Sequence, residues 1–299
     1  MKIFVIIVTY KGKRWYDKCF GSLRESTIPV QVVVVDNTPG DEDAEYIKAQ
    51  YPEVHLIKPE ENLGFGKANN IAMRYALDHG GDYVFLLNQD AWLKPNTLSV
   101  MLPIAEQHPE CGIYSPMHIG ADEKSLCAQI EDGSTNHTNA FLSDCYFGSL
   151  NDIYRFRYIN AAAWLIPRRT LLLVGGFDPI FFVYGEDDNY LQRLKFHGQF
   201  VGLIPKATIV HDHIDSSVSK ASSYREEQFI LVNFTNILKP LHIHKRICYL
   251  VLKTIQYLLT RRKSDYQYHR HELDILWTKR KEIILSRNKN IEKCATWLT

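Results

Sequence analysis

The sequence predicts an α/β protein with a doubly wound, mostly parallel sheet. Short apolar runs of strand length alternate with segments whose apolar residues recur at helical spacing, which is typical of βαβ units. The clearest runs are continuous, as expected for strands buried on both faces. They are Ile3 to Val8, Tyr83 to Leu87 and, within Val30 to Val35, the four valines that follow Gln31. At 299 residues the chain is long enough for one such domain with an extension.

Predicted strands and helices alternate through the first half of the chain. Two further runs, Val54 to Ile57 and Gly112 to Met117, have the length and composition of strands. Apolar residues at helical spacing, bounded by Gly, Pro or Asp, predict the helices between the strands. These helices are Trp15 to Leu23, Asp41 to Tyr51, Ala68 to Ala76 and Pro95 to Gln107.

The second half is predicted to be less regular. Residues 118–150 contain scattered Gly, Ser, Asn and Asp, which favours a loop region over the site. The strands expected after it are Tyr158 to Ile166, Phe200 to Ile204 and Thr208 to Val210. Helices are expected from Pro167 to Val174, from the acidic residues 186–188, and from Ser222 onward.

Polar side chains follow three of the predicted strands. Thr9 ends the first strand, Asp36 the second, and Asp90 comes shortly after the fourth. Open α/β sheets bind ligands at the carboxyl ends of their strands, so we expect these side chains to gather along one edge. Asp90, with Asn88 as a neutral oxygen donor, suits a hard divalent cation. The alternative is that residues 88–90 form a turn and Asp90 caps the next helix.

Six motifs in order give the chain its resemblance to a known family. They are Val8-Thr-Tyr10, Val35-Asp-Asn37, Asn62-Leu-Gly-Phe-Gly66 with Asn69, Leu87-Asn-Gln-Asp90, Gly175-Gly-Phe-Asp178, and Tyr184-Gly-Glu-Asp-Asp188 with Arg193. In these motifs the chain resembles the inverting glycosyltransferases of family 2, most closely their bacterial rhamnosyltransferase-like branch. The resemblance implies a GT-A fold over residues 1–218. Residues 219–299 are then expected to form a basic, amphipathic helical extension.

The resemblance also implies a site for a nucleoside-diphosphate sugar, UDP- or dTDP-linked. The residues it assigns to this donor are Thr9, Tyr10, Asp36, Asn62, Gly64, Asn69, Asn88, Gln89, Asp90 and Trp164. The ring of Tyr10 can stack on the base, with core packing as the alternative for this residue. Gly64 and Gly66 allow close approach of the backbone to a ligand.

A divalent cation, Mn²⁺ or Mg²⁺, is the cofactor that the resemblance implies. It would stabilise the negative charge of the leaving diphosphate. The family binds the metal through the last aspartate of an Asp-x-Asp motif, here Asp90, and through a histidine after the last short strand. The family spacing favours His211 for that histidine, with His213 as the alternative. Asn88 replaces the first aspartate of the motif, so a neutral contact is expected there.

The acidic cluster of Glu186, Asp187 and Asp188 supplies the carboxylate that this chemistry needs. An acceptor hydroxyl loses a proton as it attacks the anomeric carbon, and a positioned carboxylate can accept that proton. By its position in the motif Asp187 is the base, and the charges of Glu186 and Asp188 are expected to raise its pKa. The resemblance implies inversion, although the sequence alone leaves retention open. The alternative is that the cluster only complements a helix dipole.

Three other functions fit parts of the pattern. A sugar-1-phosphate nucleotidyltransferase shares the architecture but needs a Gly-rich, basic segment after the first strand, where this chain has the single glycine Gly12. A non-catalytic nucleotide-sugar-binding protein would lack the acidic cluster. A metal hydrolase built on His211 and His213 would need a further ligand cluster.

Charge is unevenly distributed along the chain. Residues 239–299 carry 14 Lys and Arg against 5 Asp and Glu, whereas the remainder carries 21 against 29. The basic segment also has an apolar stripe at helical spacing, formed by Ile247, Leu250, Val251, Ile255 and Leu258. This combination predicts peripheral contact with an anionic membrane, or packing against the catalytic domain or a second copy in a homodimer. We expect no nucleic-acid partner.

The expected acceptor is a glycan or lipid-linked glycan, in the synthesis of bacterial cell-surface polysaccharide. Six scattered cysteines without CxxC spacing suit a reducing cytosol. No apolar run reaches the length of a membrane-spanning helix, and the opening run is predicted to be a strand rather than a signal peptide. We therefore expect a cytoplasmic enzyme, peripheral on the inner face of the cell membrane if its basic segment binds there.

Overall fold

The computed structural model of the protein describes residues 1–127, 130, 140–212 and 222–298. Within these ranges one sheet of nine strands forms the centre of the molecule. Its strands are β1 (Ile3–Thr9), β2 (Gln31–Asp36), β3 (His55–Ile57), β4 (Tyr83–Leu87), β5 (Ala91–Leu93), β6 (Cys111–Ile119), β7 (Tyr154–Phe156), β8 (Ala163–Pro167) and β9 (Phe200–His211).

Helices pack on both faces of this sheet. The named helices of the described residues are α1 (Lys13–Arg24), α2 (Glu42–Gln50), α3 (Gly64–Asp78), α4 (Thr97–Gln107), α5 (Phe141–Phe147), α6 (Arg168–Val174), α7 (Glu186–Phe196), α8 (Ser222–Thr235), α9 (Ile243–Leu259) and α10 (Lys263–Asn290). Side chains alternate between the faces of a strand. On β1, Phe4 and Ile6 therefore join the core formed with α3, α6 and α7, whereas Val5 and Ile7 join the core formed with α1, α2 and α4. The predicted doubly wound α/β architecture is confirmed.

The sheet is parallel in its first half and mixed in its second. Its order is β3-β2-β1-β4-β8-β6-β9-β5, with β7 paired to β9. The pairs among β1 to β4 are parallel, and so is β6 with β9. The remaining pairs, β4 with β8, β6 with β8, and β5 and β7 with β9, are antiparallel. Only residues 88–90 separate β4 from β5. Three residues are too few for the crossover connection that would place β5 parallel to β4, and β5 pairs with β9.

Three elements differ from the sequence prediction. The two strands expected at 200–204 and 208–210 are the single strand β9. A register shift between Pro116 and Met117 of β6 accommodates the intervening residues of β9. The strand expected from Tyr158 begins only at Ala163, and the region expected to be loop contains α5.

The C-terminal helices α8, α9 and α10 share an apolar core of their own. Phe181, which lies just before α7, is also part of that core. The junction is polar as well, because Asp178 accepts hydrogen bonds from Ser286 Oγ at 2.5 Å and from Asn290 Nδ2 at 2.8 Å. The boundary expected at residue 218 lies in 213–221, outside the described residues. Among the helices of the described ranges, none is both long and apolar enough to cross a membrane.

Candidate active site

The ends of β1 and β2 meet at Asp36. Thr9 Oγ1 donates to Asp36 Oδ1 at 2.9 Å, and the backbone amide of Thr38 donates to the same oxygen at 3.0 Å. The Nζ of Lys58 lies 2.8 Å from Asp36 Oδ2. Asp36 has no exposed surface, so the ammonium of Lys58 compensates the charge of a fully buried carboxylate.

A cavity of about 310 Å³ opens beside this cluster. It lies between the end of β2 and the segment that follows β3, and its lining includes Asn37, Thr38, Lys58 and Asn62. The volume and the polar lining suit part of a small-molecule ligand. Thr9 and Asp36 therefore come together at the carboxyl ends of their strands, as expected, and ligand binding at this edge stays a prediction.

Gln89 positions the backbone of Tyr10. The Tyr10 amide donates to Gln89 Oε1 at 2.9 Å, and Gln89 Nε2 donates to the Tyr10 carbonyl at 3.1 Å. A Cβ on Gly12 would lie 2.0 Å from Gln89 Oε1, so any larger residue there would displace the Gln89 amide from Tyr10. Tyr10 is 43% exposed and the ammonium of Lys11 lies 5.4 Å from the centre of its ring, while both polar ends of Gln89 contact the backbone of Tyr10.

The Gly-rich loop before α3 is tied to two other segments. Asn37 Nδ2 donates to the carbonyl of Gly64 at 2.9 Å, and the amide of Phe65 donates to the carbonyl of Phe182 at 2.9 Å. Gly64 has φ +75°, and a Cβ there would lie 2.1 Å from the Phe182 oxygen. Asn62 Oδ1 accepts from the amide of Gly64 at 2.9 Å. The loop thus joins the end of β2 to the segment that precedes α7.

Two neighbouring asparagines of α3 have structural contacts. Asn69 is 2% exposed, and its Nδ2 donates to the carbonyl of Phe65 at 3.0 Å. Asn70 exchanges two hydrogen bonds with the backbone of Phe177, at 2.8 and 2.7 Å. Asn69, which was expected to contact the donor, is thus buried and bonded to the first turn of the helix.

The Gly175–Asp178 motif and Arg193 stabilise the fold. Gly175 has φ +86°, and a Cβ there would lie 2.0 Å from the carbonyl of Thr296. The guanidinium of Arg193 is fully buried and donates from Nη1 to the carbonyl of Gly176 at 2.7 Å. These motif residues therefore hold the turn before α7 rather than line the cleft.

Asp90 and His211 come together where β5 pairs with β9. Ala91 is opposite His211 in this ladder, and Nε2 of His211 lies 3.4 Å from Asp90 Oδ1. Two residues earlier, Oδ1 of Asn88 is buried without a hydrogen-bond partner, which is uncommon for a buried acceptor. A carboxylate, an imidazole and an unpaired amide oxygen are donors that suit Mn²⁺. The alternative histidine, His213, lies outside the described residues.

The protein does not by itself form a closed metal site in the described part of the chain. No group of three or more His, Cys, Asp and Glu side chains is arranged there to hold an ion. Burial opposes the charged form of His211, but the hydrogen bond and charge of Asp90 raise the pKa of His211 to about 9. Metal binding to this imidazole would therefore release a proton.

The acidic cluster begins α7 after a strained turn. Tyr184 and Gly185 both have positive φ, 66° and 90°, and a Cβ on Gly185 would lie 2.8 Å from Val232. A non-glycine residue in this region costs about 1–3 kcal/mol, and such residues cluster at functional sites. The turn places Glu186, Asp187 and Asp188 in the first turn of the helix, as the motif predicted.

Asp187 is held by neutral donors. Tyr158 Oη donates to Asp187 Oδ2 at 2.7 Å, and the amide of Asp188 donates to Oδ1 at 2.8 Å. Desolvation raises the pKa of Asp187, against the hydrogen bond from Tyr158, which lowers it. Burial is thus the main cause of the raised pKa that the sequence predicted.

The neighbouring carboxyls are perturbed in the same direction. Desolvation, followed by the charges of Asp187 and Asp188, raises the pKa of Glu186 to about 8. Desolvation and the charge of Asp187 raise the pKa of Asp188 to about 6. A group of desolvated carboxyls that can take up a proton near neutral pH has the property required of a general base.

Lys58 and Tyr158 are site residues that the sequence analysis missed. Lys58 directly follows β3, whose carboxyl end lies on the ligand edge, so its position was a signal that could have identified it. Tyr158 lies between β7 and β8 in a segment expected to be a strand, and no local pattern indicated its contact with Asp187.

Trp164 lies in the core, which corrects its predicted role in donor binding. It has no exposed surface and stacks against Phe177, and its Nε1 donates to the carbonyl of Ile159 at 3.2 Å. It sits on β8 opposite Leu86 of β4, inside the sheet, so both faces around it are covered.

The described residues thus include a polar cleft at the strand ends, an aspartate and a histidine 3.4 Å apart, and a desolvated carboxylate at the start of α7. Residues 4–153 match the model of Glycosyl transferase family 2. The chain belongs to this family and is a glycosyltransferase, as its motifs predicted.

Two curated relatives are rhamnosyltransferases. The chain is 24% identical over 245 residues to the N-acetylglucosaminyl-diphospho-decaprenol L-rhamnosyltransferase of Mycobacterium tuberculosis, covering 74% of this chain and 79% of the relative. It is 26% identical over 220 residues to the dTDP-rhamnosyl transferase RfbF of Shigella flexneri, covering 72% and 71%. The predicted resemblance to the rhamnosyltransferase-like branch is confirmed.

Solved structures share the fold at low identity. S. aureus TarS 1-349 in complex with UDP-GlcNAc superposes with a TM-score of 0.58 at 14% identity, covering 97% of this chain and 90% of that one. GalNAc-T7 with UDP, GalNAc and Mn²⁺ gives a TM-score of 0.53 at 15% identity, covering 77% and 48%. The expected GT-A fold with a helical C-terminal part is confirmed.

Proposed function

We propose that this protein transfers a sugar, rhamnose in the first instance, from a dTDP- or UDP-linked donor to a hydroxyl of a glycan or lipid-linked glycan. Its place would be the synthesis of bacterial cell-surface polysaccharide. The names of the curated relatives support rhamnose as the sugar, and one of them names dTDP. The observation that carries the proposal is the desolvated Asp187, held by Tyr158 at the start of α7.

In this reaction Asp187 acts as the general base. Its carboxylate takes the proton of the acceptor hydroxyl while the hydroxyl oxygen forms a bond to the anomeric carbon. The bond between that carbon and the diphosphate oxygen breaks, and its electron pair leaves with the nucleoside diphosphate. One displacement of this kind inverts the anomeric centre. Desolvation of the Asp187 carboxylate raises its pKa and so keeps its proton affinity high enough for the transfer.

The donor nucleotide is assigned to the cleft beside Asp36. Tyr10 offers an exposed ring for stacking on the base. The ammonium of Lys58 donates one hydrogen bond to Asp36 and one to the carbonyl of Thr38. Its third N–H can therefore donate to a carbonyl oxygen of uracil or thymine. Both pyrimidines have such oxygens, so this cleft accommodates dTDP- and UDP-linked donors alike.

Asp90, His211 and the amide oxygen of Asn88 are the residues that would hold Mn²⁺ or Mg²⁺. When bound, the cation supplies electrostatic stabilisation of the charge on the leaving diphosphate. The unpaired Oδ1 of Asn88 supports the assignment. Asn88 would contribute a neutral oxygen where the family motif has a charged carboxylate. Because the described residues hold no further His, Cys, Asp or Glu for a metal there, the cation would need oxygen ligands from the donor as well.

The proposed location is the cytoplasm, peripheral on the inner face of the membrane that anchors a lipid-linked acceptor. Support comes from the acceptor named for the mycobacterial relative, from the excess of basic residues in 239–299, and from the six cysteines, all of which are free thiols. The proposal requires no second copy of the chain.

A donor and acceptor screen tests the proposal. Purified protein with Mn²⁺ would be incubated with dTDP- and UDP-sugars and a short-chain polyprenyl-diphosphate-linked N-acetylglucosamine. Mass spectrometry would follow the released nucleotide and the glycosylated acceptor. We expect acceptor-dependent release of nucleoside diphosphate, greatest with dTDP-rhamnose. Tight donor binding without turnover for any pair would instead identify a binding protein, and formation of a nucleoside triphosphate from added diphosphate would identify a nucleotidyltransferase.

A further inference from the structure

Helix α9 has two apolar faces, and only one of them is covered. Ile243, Ile247 and Leu250 are buried in the core that α8, α9 and α10 share. A second set of apolar side chains lies on the solvent side of the same helix. This set, which we name the exposed α9 face, consists of Val251, Leu252, Ile255, Leu258 and Leu259.

The exposed α9 face is apolar over two turns. Its five side chains are 39%, 69%, 51%, 61% and 77% exposed, in chain order. At 100° per residue they fall within one sector of the helix surface, and no charged residue lies in that sector between Val251 and Leu259. Single exposed leucines are ordinary, but a contiguous patch of this kind indicates an interaction surface.

Positive charge adjoins the patch. Arg261, Arg262 and Lys263 directly follow α9, and the whole segment 239–299 has nine more basic than acidic residues. Arg262 is 4.0 Å from Asp265, an exposed pair that neutralises little of this charge. On the inner side, Arg246 is paired with Glu272 at 2.7 Å, so its charge belongs to the packing of α9 on α10.

We propose that the exposed α9 face docks the enzyme on an anionic lipid surface, with its apolar side chains at the acyl boundary and residues 261–263 at the headgroups. This inference rests on the proposed use of a lipid-linked acceptor. An apolar helix face bordered by Lys and Arg has the composition of an interfacial helix. A symmetric pairing of two copies through this face would bring the same basic residues together, so charge favours the lipid over a second copy.

The inner face of α9 is tied to the rest of the molecule through α10. It shares an apolar core with Leu276 and Ile283 of α10, and Ser286 and Asn290 of α10 donate hydrogen bonds to Asp178. Substitutions on the outer face leave these contacts in place. Glutamine is suited to the test because it favours helix and removes the apolar surface.

The test is co-sedimentation of the full-length protein with vesicles of phosphatidylcholine alone or with an equal part of phosphatidylglycerol. The variant that removes the patch is Leu252→Gln/Ile255→Gln/Leu259→Gln. Its control, Leu142→Gln/Leu172→Gln/Leu285→Gln, removes three exposed leucines outside α9, which are 51%, 46% and 55% exposed. A third variant, Arg261→Gln/Arg262→Gln/Lys263→Gln, removes the adjoining charge.

We expect wild type and control to bind the anionic vesicles and to dissociate as salt rises. The patch variant and the charge variant should each bind about tenfold more weakly. Equal binding by the patch variant, or salt-insensitive binding to neutral vesicles, would overturn the proposal. A wild-type dimer in analytical ultracentrifugation that becomes monomeric in the patch variant, without vesicle binding by either, would assign the face to a second copy. Binding needs neither donor nor turnover, so a failure here is distinct from a failure of the proposed transfer.

Discussion

Two desolvated aspartates of this glycosyltransferase differ in how their charge is compensated, and we propose different tasks for them. Asp36 has no exposed surface, yet Lys58 supplies a positive charge at 2.8 Å and Thr9 a hydrogen bond. Asp187 is held by Tyr158 and a backbone amide, and its nearest charged neighbours along the chain are the acidic Glu186 and Asp188. A compensated carboxylate keeps a fixed charge for binding, whereas an uncompensated one gains the proton affinity of a base.

The largest expected effect is on turnover at Asp187. Asp187→Asn should lower kcat by roughly 10²- to 10⁴-fold, the usual contribution of general base catalysis, with donor affinity nearly unchanged. Steady-state kinetics and calorimetric titration with the donor measure the two quantities on one preparation. A variant that keeps more than about a tenth of the wild-type rate would remove Asp187 from the role of base.

The next effect is on the cation. Asp90→Ala and His211→Ala should each weaken manganese-dependent donor binding, by roughly 10- to 100-fold. The control is Asn88→Asp, which restores a charged ligand and should leave activity unchanged or raise it. Donor titrations at several Mn²⁺ concentrations measure the change. Full activity in EDTA, together with unaffected alanine variants, would contradict a metal-assisted reaction.

The third effect is on the ion pair between Asp36 and Lys58, which a substitution of Lys58 breaks. Lys58→Met should raise the donor KM about tenfold, because the loss of a charged hydrogen bond is worth about 1.5 kcal/mol or more. It also leaves Asp36 buried and unpaired, which should lower the free energy of unfolding by about 3 kcal/mol. Lys58→Arg keeps the charge and serves as the control in both urea unfolding and kinetics. An unchanged KM for Lys58→Met would place the donor away from this cleft.

The smallest effects are opposite shifts of the pH profile. The base acts when ionised, so the raised pKa of Asp187 should place the acid limb of kcat/KM above the ordinary aspartate value of 3.8. Tyr158→Phe removes a hydrogen bond that favours the ionised form and should move the limb up by about one pH unit. Asp188→Asn removes a neighbouring negative charge and should move it down by a similar amount. Shifts in the same direction would show that the limb belongs to another group.

The sequence predicted the fold and most of the strand-end site because those features are local. Continuous apolar runs identified β1, β2 and β4, and polar residues at their ends identified Thr9, Asp36 and Asp90. The pairing of Asp90 with His211 was expected only through the family resemblance, since it depends on β5 pairing with β9 across the chain.

Contacts between distant segments were beyond the sequence. Tyr158 reaches Asp187 across 29 positions, and nothing near Tyr158 indicates that contact. The sequence also did not distinguish residues that contact a ligand from residues that stabilise the fold. Asn69, Arg193 and Trp164 are buried by packing that no local pattern reveals. The apolar stripe of α9 was predicted as one feature, but the structure divides it between a buried face and an exposed face.

The most direct test of the central claim, a single displacement assisted by one base, is the anomeric configuration of the product. Nuclear magnetic resonance of the donor sugar and of the glycosylated acceptor, taken early in the reaction with wild-type protein, gives both configurations. The account predicts that they are opposite and that Asp187→Asn forms no product of either configuration at a comparable rate. A product that retains the donor configuration would contradict it, because a single in-line displacement inverts the anomeric carbon.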